Sequence, residues 1–223
     1  MNVRRNILVT GTAVLAAFAA VGCSAEGTST HGAKSGAAPD AVTYHADYPA
    51  YSSLDDVIKQ SDAVVEGTVV SSRVQRVLPD APAGDNPATN PQAGLSPAEA
   101  KEAKKEAEAN PVIVTVSTVK VTRTLSGKVS AGDTIEVSQL GGTYKGVAYQ
   151  ETDTTLLAKG AKKYVLMLAA HGKNPYDLLN PEQALYTVKP DGTVKAVSVG
   201  GFTGAGKVDQ LAAKAGRIAR NAR

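Results

Sequence analysis

Residues 112–140, VIVTVSTVKVTRTLSGKVSAGDTIEVSQL, hold two runs rich in Val, Thr and Ile around Ser126-Gly127-Lys128 and Ala131-Gly132-Asp133. β-branched residues suit a pleated, half-buried surface and the Gly-containing breaks suit turns, so the stretch reads as strand, turn, strand. Val112, Val114 and Val116 keep one phase of alternation, while Val119, Val121 and Leu125 keep the other. A strand has a period of two, so the change near Ser117-Thr118 predicts one extra residue there, a β-bulge. A long strand bent in this way can serve both sides of a small barrel.

Upstream of it, Ser53-Leu54-Asp55-Asp56 offers Ser53 as an N-cap, and Leu54, Val57 and Ile58 share one helical face, predicting a short helix to about Ser61. Ala63–Val77, AVVEGTVVSSRVQRV, reads as a strand, with Gly67 marking a bend or a close backbone approach. Residues 78–111 form an insertion with six of the eleven prolines, a composition unfit for a sheet interior. Inside it, Ser96-Pro97-Ala98-Glu99 is a helix start, and the Ala-, Glu- and Lys-rich run to Asn110-Pro111 has no large apolar residue, which predicts a loosely docked projection.

Downstream, Gly141–Gly146 reads as a loop and Val147–Gln150 as a short strand. Tyr164–Leu168, YVLML, is the continuous apolar run of a strand buried on both faces. Asn174-Pro175 and Asn180-Pro181 bracket another loop. Leu185–Val188 and Thr193–Val199 flank Pro190-Asp191-Gly192 as a hairpin, and Val208, Leu211, Ala212, Ala215 and Ile218 mark a closing amphipathic helix.

The expected fold is mainly β: an antiparallel OB-like barrel or strongly curled sheet with a short N-terminal helix, a helical Pro-rich insertion and a C-terminal helix. The segments Ser61–Val70 and Val119–Gly127, the second with the pattern V-x-V-x-x-x-L-x-G, resemble netrin-like OB domains over about residues 52–200. The protease-inhibiting members of that family use a disulfide-tied N-terminal cysteine as a metal ligand. The single cysteine here, Cys23, has no partner for such a disulfide, so that mechanism does not carry over.

Residues 1–22 read as a signal peptide: Arg4-Arg5, an apolar run from Ile7 to Val21, and small residues before Cys23. Ala20-Val21-Gly22-Cys23 resembles the lipobox of bacterial lipoproteins, in which the cysteine sulfur is acylated before cleavage; Ala20 stands where that motif usually has Leu. An ordinary signal peptide ending near an unmodified Cys23 is the alternative. Arg4-Arg5 fits either a twin-arginine export signal or the charges of a general leader. Residues 23–43 are then a lipid-anchored tether and 44–223 a single β-barrel-like domain with the insertion at 78–111.

Beyond Cys23 the charge is nearly balanced: two of the 24 basic residues precede it, leaving 22 against 21 acidic. That balance and the shortage of aromatics argue against nucleic acid. Gly201–Lys207, GFTGAGK, fits G-x-x-x-x-G-K, but Val208 stands where a Mg²⁺-holding hydroxyl belongs, so no nucleotide is expected. His31, His45 and His171 are too scattered to pair as ligands, so no metal or other cofactor is expected. Asp55 and Asp56 suit a helix N-terminus, Glu66 and Glu136 polar strand faces; Asp62 is a further carboxylate. Lys207, Lys214, Arg217, Arg220 and Arg223 make the last helix basic, either toward lipid headgroups or as a solvated face.

The function expected from these readings is a non-enzymatic binding or accessory module at the extracytoplasmic face of a cell membrane, held by lipid on Cys23. An envelope protein is a possible partner, and Tyr144 and Lys145 in the Gly141–Gly146 loop are candidate ligand contacts, since loops carry recognition on rigid scaffolds. No catalytic residue is assigned. The alternatives are a secreted hydrolase using His171 with Glu151 or Asp153, or a structural envelope protein.

Overall fold

The computed structural model describes residues 41–77, 93–109 and 112–221. The leader, Cys23, the tether up to residue 40, and Arg223 lie outside them.

A mainly β chain curls into a ring. In order, the elements are β1 (Ala41–Tyr44), α1 (Leu54–Gln60), β2 (Ala63–Val77), α2 (Pro97–Ala109), β3 (Val112–Gly127), β4 (Thr134–Leu140), β5 (Gly142–Tyr144), β6 (Val147–Glu151), β7 (Lys163–Ala169), β8 (Tyr176–Leu178), β9 (Leu185–Val188), β10 (Val194–Ala196) and α3 (Val208–Asn221). One sheet has the order β10-β9-β7-β2-β3-β4-β8, and β8 also pairs with β7. The five strands β7, β2, β3, β4 and β8 therefore close on themselves. The other edge of β7 is shared: Lys163–Leu166 pair with β9, and Leu168–Ala169 pair with β8. The ladders are antiparallel except at the closure, where β8 runs parallel to β4. A second sheet, β1-β6-β5, pairs β1 and β6 in parallel.

The strands form where Val, Ile and Leu collect. β7 is paired on both sides, and its Tyr164–Leu168 are all buried, as the unbroken apolar run required. The core joins these residues to Val64, Val65, Val119 and Val121, and α1 and α3 add Val57, Ile58, Leu211 and Ala215. Ser53 caps α1, accepting from the Asp56 amide at 3.1 Å. The capping box of α2 also forms, with the Ser96 amide donating to Glu99 at 2.8 Å, and the helix buries no residue.

Several expectations need correction. No extra residue lies in β3 itself at Ser117-Thr118, because β3 and β4 pair without interruption from Val114 to Lys120. The irregularity at this level falls across the ladder in β2, where Val69 pairs with Val119 and Ser71 with Thr118, leaving Val70 unmatched and 45% exposed; β3 has unmatched residues of its own further on, at Thr122 and Leu125. Both phases of β3 are apolar because Ile113 to Ser117 are buried on both faces. Residues 142–144 are a strand, not a loop; they continue through the two-residue turn Lys145-Gly146 into β6. Between the two Asn-Pro pairs lies β8, the strand that closes the ring. The first strand begins at Ala41, inside the expected tether, and the hairpin after β9 ends at Ala196, with Val199 fully exposed. Glu66 is not on a polar face. It is buried and pairs with Lys163 at 3.1 Å.

Candidate functional site

The ring closure opens a cavity of about 490 Å³ between β3, β4, β8 and the segment that follows β1. Its apolar wall includes Pro49, Val114, Leu140, Ala169, Leu178 and Leu179. Its polar groups come from four places: Tyr48 before α1, Ser138 and Gln139 on β4, Thr154 after β6, and His171 with Asp177 around β8. A concave, mostly apolar volume of this size with a few polar groups is the usual form of a small-molecule site.

Each wall is fixed by a side chain that satisfies neighbouring backbone. The buried Asn180 donates to the Pro49 carbonyl at 3.0 Å and accepts from the Glu182 and Gln183 amides at 2.9 Å. Gln183 completes the tie, accepting from the Tyr51 amide at 2.9 Å and donating to the Tyr51 carbonyl at 3.2 Å. These bonds hold Tyr48 and Pro49 against the ring. On the opposite side the buried Gln139 donates to the Thr155 carbonyl at 2.9 Å and accepts from the Leu157 amide at 2.8 Å, which places Thr154 at the rim. Satisfied buried amides of this kind make rigid walls.

His171 Nε2 stands 3.1 Å from Asp177 Oδ2. Asp177 is the register partner of Ser138 across the parallel β4–β8 pair. Desolvation against the cavity pushes the Asp177 carboxyl up from its ordinary range, and the charge of His171 partly opposes this. The Tyr48 hydroxyl is also pushed up, first by burial and then by Glu151, Asp153 and Asp177, while the Thr154 side chain draws it back.

The carboxylate beside His171 is thus Asp177 on β8, and not Glu151 or Asp153. Glu151 is buried and holds its own turn, accepting from the Asp153 amide at 3.0 Å and from Thr154 Oγ1 at 2.7 Å. Ser138 makes no hydrogen bond to His171, so the described residues hold no assembled nucleophile–base pair. Tyr44, in the lead-in, accepts from the Ile113 amide at 3.0 Å and stacks on Tyr149. Nothing in the sequence separates Tyr48 or Asp177 from other lead-in and loop residues; pairing across the ring brings them together.

Tyr144 and Lys145 lie away from this cavity, at the tip of the β5–β6 hairpin. Lys145 adopts φ 50° and Gly146 φ 84°, the positive pair that a two-residue type I′ turn requires, and Lys145 Nζ sits 5.5 Å from the centroid of the Tyr144 ring. The end of the GFTGAGK segment is bonded to β10 and the turn before it. The Gly206 carbonyl accepts from Val194 at 2.8 Å, the Lys207 amide donates to Gln210 and the Val208 amide to the Gly192 carbonyl. On the basic helix, Lys214 pairs with Asp55 of α1 at 2.6 Å, while Arg217 and Arg220 are exposed. A wider surface basin of about 750 Å³, near Lys162, Lys189 and Lys207, is walled mostly by charged side chains, including the Lys163–Glu66 and Arg123–Asp209 pairs. No cluster of metal-ligating side chains occurs among the described residues, and no described helix is long and apolar enough to cross a membrane.

No protein-family model matches the chain, and no curated protein is significantly similar to it.

Proposed function

We propose that this chain is a lipid-anchored extracytoplasmic binding module whose ligand is a small, largely apolar molecule held in the cavity beside β8. One observation carries the reading: a cavity of about 490 Å³ whose walls are apolar and pinned by buried amides, with Tyr48, Ser138, Thr154, His171 and Asp177 converging on it. The anchor is supported by the chain's one cysteine, which follows small residues and an apolar leader. Two acyl chains would supply stable attachment, and the tether would let the barrel stand off the headgroups. In this reading the domain keeps its likeness to netrin-like OB barrels, and the exposed hairpin tip with Tyr144 and Lys145 is the surface offered to an envelope protein.

The cavity is tested by extracting the protein, purified from its own envelope, with organic solvent. Mass spectrometry should find a small molecule with the native chain and lose it with Ala46→Phe, which fills the cavity from the lead-in. Identical extracts from the two proteins would contradict the assignment. Metabolic labelling with a fatty acid tests the anchor: Cys23→Ala should take up no label, and equal labelling would remove the lipid.

A secreted hydrolase is the second reading, favoured by the His171–Asp177 pair at 3.1 Å within the same cavity. It requires a nucleophile or water to meet His171 when substrate is bound. Hydrolysis of short-chain esters that disappears in His171→Ala would support it over the binding module.

A further inference from the structure

The ligand class can be narrowed from the charge of the cavity, an inference that rests on the reading above. Among the described residues no Lys or Arg lines the cavity; the ionisable base that does is the imidazole of His171, and the lining carboxylate is Asp177. Glu151 and Asp153, together with Asp177, push the Tyr48 hydroxyl up, so the carboxylates near the polar side of the cavity outnumber its imidazole. Glu151 has its partners within its own turn, whereas Asp177 meets His171 at one oxygen and no other side chain among the described residues. Such a site repels carboxylates and phosphates. It rewards a cation that can replace or join the imidazole at Asp177.

We propose that the cavity takes a small apolar molecule bearing one ammonium group, with the ammonium at Asp177 and the hydrocarbon against Val114, Leu140, Leu178 and Leu179. The ammonium donates to the carboxylate in a charge-assisted bond, with Ser138 and Tyr48 as the neighbouring oxygens. Apolar area removed from water supplies the rest of the affinity. His171 is a competitor in this arrangement, because protonated imidazole occupies the same carboxylate.

Isothermal titration of the purified protein with n-octylamine, n-octanol and n-octanoate separates the contributions, since the three share one hydrocarbon body. The amine should bind about tenfold more tightly than the alcohol, as expected for one charge-assisted bond, and octanoate should bind weakest. Asp177→Asn should bring the amine to the affinity of the alcohol, while His171→Ala should leave amine binding intact or tighten it. Equal binding of the three compounds, or an amine preference that survives Asp177→Asn, would overturn the ammonium assignment and leave the cavity as a ligand site. Binding of none of them would overturn both.

Discussion

Gly67 shows how narrowly single positions are determined here. It stands at a register shift in the β2–β3 ladder, and a Cβ placed on it would lie 2.6 Å from Val119 Cγ1 and 2.8 Å from the Lys120 carbonyl oxygen. Backbone cannot step aside as a flexible side chain can, so Gly67→Ala should cost about 1–3 kcal/mol, read as a lower denaturant midpoint. An unchanged midpoint would mean that the two strands are not so closely apposed. Asp177 is sensitive in a different way. Its folded-state pKa is raised, chiefly by desolvation, so the folded protein prefers the protonated acid. Stability from this group is present below the unfolded-state pKa and is lost as pH rises through the unfolded and then the folded value. Asp177→Asn should therefore be at least as stable as the native chain at neutral pH, and the two should converge in acid. Because the side chain is half exposed, the difference should stay under about 1 kcal/mol. Chemical denaturation across pH 3–7 measures it.

The elements divide by length. α2 buries no side chain, and one tie to the sheet is the Arg76 guanidinium donating to the Glu108 carbonyl at 2.7 Å. Val77 and Val112 are direct register partners, so residues 78–111 can be replaced by Asn-Gly without moving either strand. That variant should have an unchanged or higher denaturant midpoint, since each halving of a loop returns about 0.6 kcal/mol. A large loss would show that the insertion packs on the domain. Long, periodic elements were readable from sequence: β2, β7, α1 and α3 announce themselves through Val-rich runs, a Ser cap or an apolar stripe. β8 was not. Three residues between two Asn-Pro pairs hold no period, and what makes Tyr176–Leu178 a strand is the open edges of β4 and β7 on either side. β1 was missed for the same reason, since its partner β6 is about a hundred residues away. The phase change in β3 was legible but its cause was not: burial of Ile113–Ser117 on both faces makes both phases apolar, and the unmatched residue opposite Thr118 belongs to β2. Asp177 inherits the illegibility of β8, so the candidate site was hidden while most of the fold was open to view.

At the scale of the whole molecule, fold and site are one feature. A five-stranded ring needs a last strand to seal it, and sealing with so short a strand as β8 leaves an opening that the lead-in at Tyr48-Pro49 and the turn at Thr154 wall in. Charge follows from the same geometry, because β8 carries Asp177 to the cavity and the turn after β6 sets Glu151 and Asp153 nearby. The hairpin with Tyr144 and Lys145 belongs to the smaller sheet and is a separate surface. These two candidate sites can be told apart in a single titration. Backbone amide chemical shifts of the purified, isotope-labelled protein, followed as n-octylamine is added, should move at Tyr48, Ser138, His171, Asp177 and Leu179 and stay still at Tyr144 and Lys145. Shifts centred on the β5–β6 hairpin, or none anywhere, would contradict a ligand cavity at the closure of the ring.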